Sequence, residues 1–403
     1  MKKYKYKARD QANNKIIEST VQADSEKAAA KLLLEQGFVP MSLKEEDDSS
    51  GFFSKLTNRV TSKDKVVYSR QLATLIGAGL PLSQSLRTVS EQTENKKLRE
   101  ISEAITSSVE GGKSLSESFG KFPEVFDPIF LALISAGEVS GSLDQALQRI
   151  AAQQEKDAAM MSKIKGAMTY PIIVLFVMLG VIIFMLISVV PQVEKLYQDF
   201  NQELPVLTKI MVGTANFIVD YWWLVIIIVI GVVYFGRQFF KTDSGIKTKD
   251  TFKLNVPLFN PMFRKLYMAR LARTSQTLLS SGVSMLDTLD IVKKAMNNSV
   301  LADSIGRASD KVKGGKALSV SLSDEDYILA LVPQMIKIGE QSGKIDEMFG
   351  KLAQIYEDEL DEQIKTISTA IEPVLMVLLA IVAGGMVGAI LFPIYSLVDG
   401  VGL

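Results

Sequence analysis

The chain carries one segment twice, and each copy runs straight into a long apolar stretch. Gly79 in Ala78-Gly79-Leu80 matches Gly282 in Ser281-Gly282-Val283, 203 positions on. Gly111-Gly112-Lys113-Ser114-Leu115 matches Gly314-Gly315-Lys316-Ala317-Leu318, again 203 positions on. Ala136-Gly137-Glu138-Val139-Ser140-Gly141 matches Ile338-Gly339-Glu340-Gln341-Ser342-Gly343, and Tyr170-Pro171 matches Glu372-Pro373, both 202 positions on. Separate blocks hold register with a single one-residue slip, so the copies share one fold. The unit is a helical domain followed by a membrane helix.

Three apolar runs follow the pattern. Ile172–Val190 contains no charge over 19 residues, close to the roughly 20 that a spanning helix needs. Tyr221–Gly236 opens on Trp222 and Trp223, residues suited to the membrane interface, and reaches spanning length only if Phe217 to Val219 extend it. Val374–Ile394 is the third.

Within the first copy, Asp64–Ala78 reads as a helix that Gly79-Leu80-Pro81 breaks, and Ser83–Glu91 as the next. Leu98, Ile101, Ile105 and Val109 recur at helical spacing, and Gly111-Gly112 stop that helix. Leu115–Phe119 is short, Pro128–Ala136 is helical, and Gly137–Gly141 reads as a turn. Leu143 then opens a long helix toward Pro171. The sum is an all-α bundle of about six helices. Ahead of it, residues 1–46 read as a small ββαβ domain, with a helix from Ser25 to Gln36. Residues 47–63 form a linker in which Phe52, Phe53, Leu56 and Val60 oppose Lys55 and Arg59, a patch suited to a membrane surface or to its own domain.

The expected architecture is mainly α: a polytopic membrane protein with two repeated cytoplasmic bundles, three transmembrane helices and an N-terminal α+β domain. The bundles occupy 64–168 and 266–369, the spans 171–191, 217–237 and 373–395, and 192–216 is a polar extracytoplasmic loop. Met1–Asp10 has no apolar core, so the internal spans are expected to direct insertion. Orientation follows from the positive residues. Lys156, Lys163 and Lys165 precede the first span, and Arg237, Lys241, Lys247, Lys249 and Lys253 follow the second, whereas Lys and Arg are absent after the third. The N-terminus and both bundles are expected in the cytoplasm, the C-terminus outside. The repeats are then parallel, not inverted.

Net charge is zero, with 45 basic and 45 acidic residues, so a nucleic-acid partner is not expected. Neither cysteine nor histidine occurs, which removes thiolate ligands and the commonest general base. No catalytic, cofactor or metal set emerges. Gly112-Lys113-Ser114 looks like the end of a phosphate loop, but Ser107 stands where that pattern needs its first glycine, and Ala317 replaces the hydroxyl in the second copy. A helix stop explains the glycine pair better.

Glu138 with Gly141, and Glu340 with Gly343, place an acid in a glycine-bounded turn. The acid could contact a partner, bind a cation or cap the following helix. Gly384 and Gly388, with Gly385 beside them, form a small-residue face in the third span for contact within one chain or between subunits. Tyr170-Pro171 and Glu372-Pro373 mark the membrane edge, where Glu372 reads as a snorkelling carboxylate.

The blocks Arg70-Gln71-Leu72-Ala73-Thr74-Leu75, Ala78-Gly79-Leu80-Pro81-Leu82 and Gly111–Leu115 carry a family likeness. Gly137-Glu138 with Ser140–Leu143, Tyr170-Pro171, Val190-Pro191-Gln192 and Leu204-Pro205 extend it, as do Gly339-Glu340, Ser342-Gly343 and Glu372-Pro373. In combination the chain resembles the inner-membrane platform proteins of type IV pili and type II secretion, the PilC/GspF family. The likeness spans nearly the whole chain, with Ser284 standing for Pro81 and Lys344 for Ser142. It implies a non-enzymatic platform in the inner membrane that couples a cytoplasmic hexameric ATPase to insertion of pilin or pseudopilin subunits into a fibre. Partners so implied are that ATPase, the pilins, other inner-membrane assembly proteins, membrane lipid and further copies of the chain. A transporter or channel is the competing class, and the spans hold almost none of the polar residues it needs.

Overall fold

The N-terminal segment alternates, and its strands pair accordingly. In the computed structural model, which describes residues 2–10, 16–23, 28, 30, 32–33, 38–45, 59–199, 206–257 and 259–401, strands β1 (Lys2–Asp10), β2 (Ile16–Ala23) and β3 (Phe38–Glu45) form an antiparallel sheet in the order β2-β1-β3. Tyr4 faces Val21 across one ladder and Glu45 across the other. The register of β1 with β3 shifts between Lys7 and Ala8, and Ala8 then lies opposite Pro40. Proline donates no backbone hydrogen bond, so it is tolerated on an edge strand beside such an irregularity. Ala28, Ala30, Leu32 and Leu33 are helical, as the ββαβ order requires. The rest of the expected Ser25–Gln36 helix, and Phe52, Phe53, Lys55 and Leu56 of the linker patch, lie outside the described residues. By contact density the chain divides into two units, Met1–Thr61 with Glu94–Leu98, and Ser62–Thr93 with Arg99–Leu403.

The first copy folds as six helices: α1 (Ser62–Gly77), α2 (Leu82–Gln92), α3 (Lys96–Glu110), α4 (Leu115–Gly120), α5 (Pro128–Ser140) and α6 (Leu143–Ser188). Helices α1, α4 and α5 bring Tyr68, Phe119 and Phe130 into one core with Phe126. Phe119 meets Phe126 edge-on at 4.6 Å between ring centroids and Phe130 at 4.8 Å, geometry that favours aromatic pairs. Burial pushes the Tyr68 phenol up to about 12, and its hydroxyl finds Ser102 Oγ at 3.2 Å.

The second copy repeats the order: α11 (Asn260–Leu279), α12 (Met285–Ala295), α13 (Ser299–Lys313), α14 (Leu318–Ser323), α15 (Leu331–Ser342) and α16 (Ile345–Val401). The substitutions between copies are absorbed locally. Ser284 caps α12 through the Asp287 N–H, where Pro81 opens α2 with its fixed dihedral alone.

Two shafts leave the bundles. Helix α6 is continuous through Pro171, although proline removes the bond to the carbonyl four residues back. Helix α16 runs 57 residues, about 85 Å at 1.5 Å per residue. Both are long and apolar enough to cross a membrane, as is α9 (Trp222–Phe239).

Three expectations need correction. The segment 192–216 is not a loop over its described length: α7 (Val190–Asp199) and α8 (Val206–Asp220) occupy it. Val190, Val212 and Ala215 pack with Leu186 of α6 into a small core, which gives these amphipathic turns something to fold against. Phe217 to Val219 belong to α8 rather than to the second span, because the chain leaves helical geometry at Tyr221 before α9 begins. Helix α10 (Asp243–Asn255) occupies a stretch between the second span and the second bundle where no element was expected.

Candidate functional site

The segment Gly137–Gly141 is helical to Ser140, and only Gly141 turns, at φ 71°. Glu138 therefore sits in the last turn of α5. A carboxylate there opposes the dipole of its own helix, but it is aimed at the amino end of another. Its Oε1 accepts the Leu115 N–H at 2.5 Å, and its Oε2 accepts the Ser116 N–H at 3.1 Å and the Ser116 hydroxyl at 2.8 Å. Ser114 takes the next donor, Glu117 N–H, at 3.1 Å. The opening donors of α4 are thereby satisfied, and Lys113 pairs with Glu117 at 3.0 Å. The Gly112-Lys113-Ser114 run thus closes one helix and caps the next.

The second copy builds the same knot. Glu340 accepts the Leu318 N–H at 2.6 Å, the Ser319 N–H at 3.2 Å, and the Ser319 hydroxyl. Ala317 caps nothing with its side chain, so Glu340 supplies the oxygen at that end. Both acids are caps, as one sequence reading held, but of α4 and α14 rather than of the following shafts. That pairing crosses more than twenty residues, and no local pattern signals it.

The glycines on either side have separate duties. A Cβ on Gly137 would stand 2.5 Å from Ala146 Cβ, and one on Gly339 2.9 Å from Ile345 Cα, so α5 and α15 lie against their shafts there. Gly141 and Gly343 (φ 72°) reverse the chain, and the N–H groups of Ser142 and Lys344 reach back to the carbonyls of Gly137 and Gly339. Glycine, glutamate and glycine together lock a short helix, the next helix and a shaft into one body. Burial pushes the Glu138 carboxyl up, but the Leu115 and Ser116 bonds outweigh it and hold the carboxyl below its ordinary value. On the same turn Val139 is 88% exposed.

The two copies meet along the shafts. Arg149 Nη1 donates to Ser281 Oγ at 2.7 Å. Glu357 of α16, 13% exposed, holds both Lys156 at 3.3 Å and Arg273 at 2.8 Å, and Lys163 pairs with Asp361 at 2.5 Å. Beside them Asp157 is half-buried, with its Oδ1 enclosed and without a hydrogen-bond partner among the described residues. Burial pushes its carboxyl up to about 6, against the pull of Arg270. Sequence reasoning missed this cluster because its members are far apart in the chain.

Tyr170 is exposed and Pro171 buried in α6, while Glu372 and Pro373 are exposed on α16. Further along, Ile173, Val174, Val177, Met178 and Val181 of α6 face Leu379, Val382, Ala383 and Met386 of α16 across an apolar groove of about 330 Å³. Gly384, Gly385 and Gly388 take no part: a Cβ on any of them meets nothing within 4 Å.

Comparison with known proteins agrees along the whole chain. Residues 68–191 and 271–393 each match the family described as type II secretion system (T2SS), protein F, and residues 1–44 match its N-terminal domain. A type IV pilus assembly protein PilC of Thermus thermophilus is 35% identical, with 98% of each chain covered. One of Myxococcus xanthus is 39% identical over 85% of this chain and 82% of its own. A type II secretion system protein F of Xanthomonas campestris is 32% identical over 99% of each.

Proposed function

The chain belongs to the type II secretion system protein F family, and from that premise we propose that it is the inner-membrane platform of a type IV pilus or related secretion fibre. In this reading the two bundles face the cytoplasm and take force from a hexameric assembly ATPase. The spans receive pilin or pseudopilin subunits. The protein performs no catalysis itself. The observation that carries the proposal is the pair of helices α6 and α16, each passing from a bundle into a span without interruption. A continuous helix transmits displacement with little bending.

The Gly-Glu-Gly knots serve this role from behind the contact surface. Glu138 and Glu340 hold α4 and α14, Gly141 and Gly343 set the shaft angle, and Val139 stands exposed to a partner. Gly384, Gly385 and Gly388 present an open face to a helix of another copy or of a neighbouring assembly protein. Tyr170-Pro171 and Glu372-Pro373 sit where the shafts enter lipid. The positive residues before the first span and after the second support an inward N-terminus and an outward C-terminus.

The test uses the cysteine-free chain in its own membrane with the motor present. Cysteines at Glu103 and Asp310 should be shielded from an impermeant thiol reagent, and a cysteine at Gln198 should react. Crosslinking should recover the ATPase with the parent chain. Labelling of Glu103→Cys and Asp310→Cys alone, or nucleotide turnover by the purified chain without the motor, would overturn the reading.

A further inference from the structure

Helix α10 is not accounted for by the platform reading. It begins directly after α9 ends at Phe239, and Thr242 caps it through the Gly245 N–H at 3.2 Å. Gly245 is pressed against the end of the span: a Cβ there would lie 1.9 Å from the Phe239 carbonyl oxygen and 2.7 Å from its carbon. A side-chain vector directed at that terminal carbonyl means that α10 crosses the end of α9 instead of prolonging it. Residues 245, 248, 249 and 252 lie on one stripe of a helix. Thr248, Lys249 and Phe252 thus share the side that meets the span, and hence the membrane plane.

What this side carries suits a bilayer surface. Phe252 is 68% exposed, and Phe239 and Phe240 at the junction are exposed as well. Lys241 at the junction and Lys249 on this side are exposed and make no ion pair among the described residues. Asp243 is the exposed acid nearby, whereas Asp250 is buried and accepts the Ser299 N–H at 2.8 Å. That bond fixes the opposite side of α10 to the second bundle, with Asn298 Nδ2 donating to the Asp250 carbonyl at 3.4 Å. Aromatics at the interface with unpaired lysines beside them match anionic lipid headgroups over acyl chains.

We propose that α10 is a membrane-surface helix that binds anionic phospholipid headgroups through Lys241 and Lys249, inserts Phe252, and so holds the second bundle at a set height on the bilayer. The proposal rests on α9 crossing the membrane and not on contact with a motor, so its failure would leave the platform reading standing.

The full chain with Phe252→Cys, spin-labelled in lipid nanodiscs, should be open to oxygen and shielded from an aqueous nickel chelate, whereas a label at Glu103→Cys should show the reverse. In detergent exchange the parent should retain phosphatidylglycerol over phosphatidylcholine. Lys241→Gln with Lys249→Gln should lower that preference several-fold, the two Arg substitutions should preserve it, and Lys96→Gln with Lys97→Gln should not alter it. Equal nickel access at 252 and 103 would overturn the surface placement. Protection at 252 with no loss of phosphatidylglycerol preference in the Gln variant would overturn the headgroup assignment.

Discussion

Glu340 in the last turn of α15 accepts the backbone N–H of Leu318 at 2.6 Å, and Glu138 repeats that bond to Leu115 in the first copy at 2.5 Å. The two contacts join the end of one helix to the start of another in each bundle. Removing either acid leaves two backbone donors of a six-residue helix without their acceptor. Glu138→Ala and Glu340→Ala should each lower stability by about 1–3 kcal/mol, the range for hydrogen bonds to charged groups. Thermal unfolding of the full chain measures this.

The same contact predicts a pH response. The Glu138 value is depressed in the fold, so its contribution is present above the unfolded carboxyl value and is lost as pH falls through the folded one. The melting-temperature gap between parent and Glu138→Ala should be constant near neutrality and narrow below about pH 4. A gap independent of pH would mean that the charge contributes nothing.

Asp157 works in the opposite direction. Its folded value is raised to about 6, from an ordinary 3.8, by burial. The unfolded chain therefore releases this proton first, and stability falls as pH rises from about 4 to 6. Asp157→Asn should remove that slope and raise stability at neutral pH by about 3 kcal/mol. The check is denaturant unfolding of parent and variant across that pH window.

Along the line where the copies meet, the acids are unequal. Glu357 is nearly buried and serves two cations, whereas both partners of Lys163–Asp361 are substantially exposed. Glu357→Ala should cost about 2–3 kcal/mol by leaving Arg273 uncompensated, and Asp361→Ala less than about 1 kcal/mol. Equal losses would show that burial of Glu357 is not what matters.

Gly384→Leu with Gly388→Leu adds side chains into space that the chain itself leaves open. Folding and melting temperature should be unchanged, while crosslinking between copies and detergent-solubilised mass should fall. A lowered melting temperature with unchanged mass would place the glycine contact inside one chain.

The sequence by itself determined whatever rests on local chemistry and on repetition. Each stop at Gly79, Gly112 and Gly141 recurs at Gly282, Gly315 and Gly343, and all six hold positive φ, the conformation that glycine adopts at least cost. The order of six helices per copy, the ββαβ start and the apolar spans follow from periodicity and from runs without charge. Tertiary structure alone decided the rest. Glu138 has a helix of its own and a helix following it, yet it caps α4, because packing brings Leu115 to it from earlier in the chain. The segment 192–216 reads as a loop because polar residues interrupt its apolar ones, and the small core that Val212 and Ala215 form with Val190 and Leu186 exists only once the chain is folded. Asp157 is an ordinary acid on a helix until α11 brings Arg270 against it and burial excludes water. Contacts across long stretches of chain depend on where helices cross, and spacing along one helix does not encode that crossing.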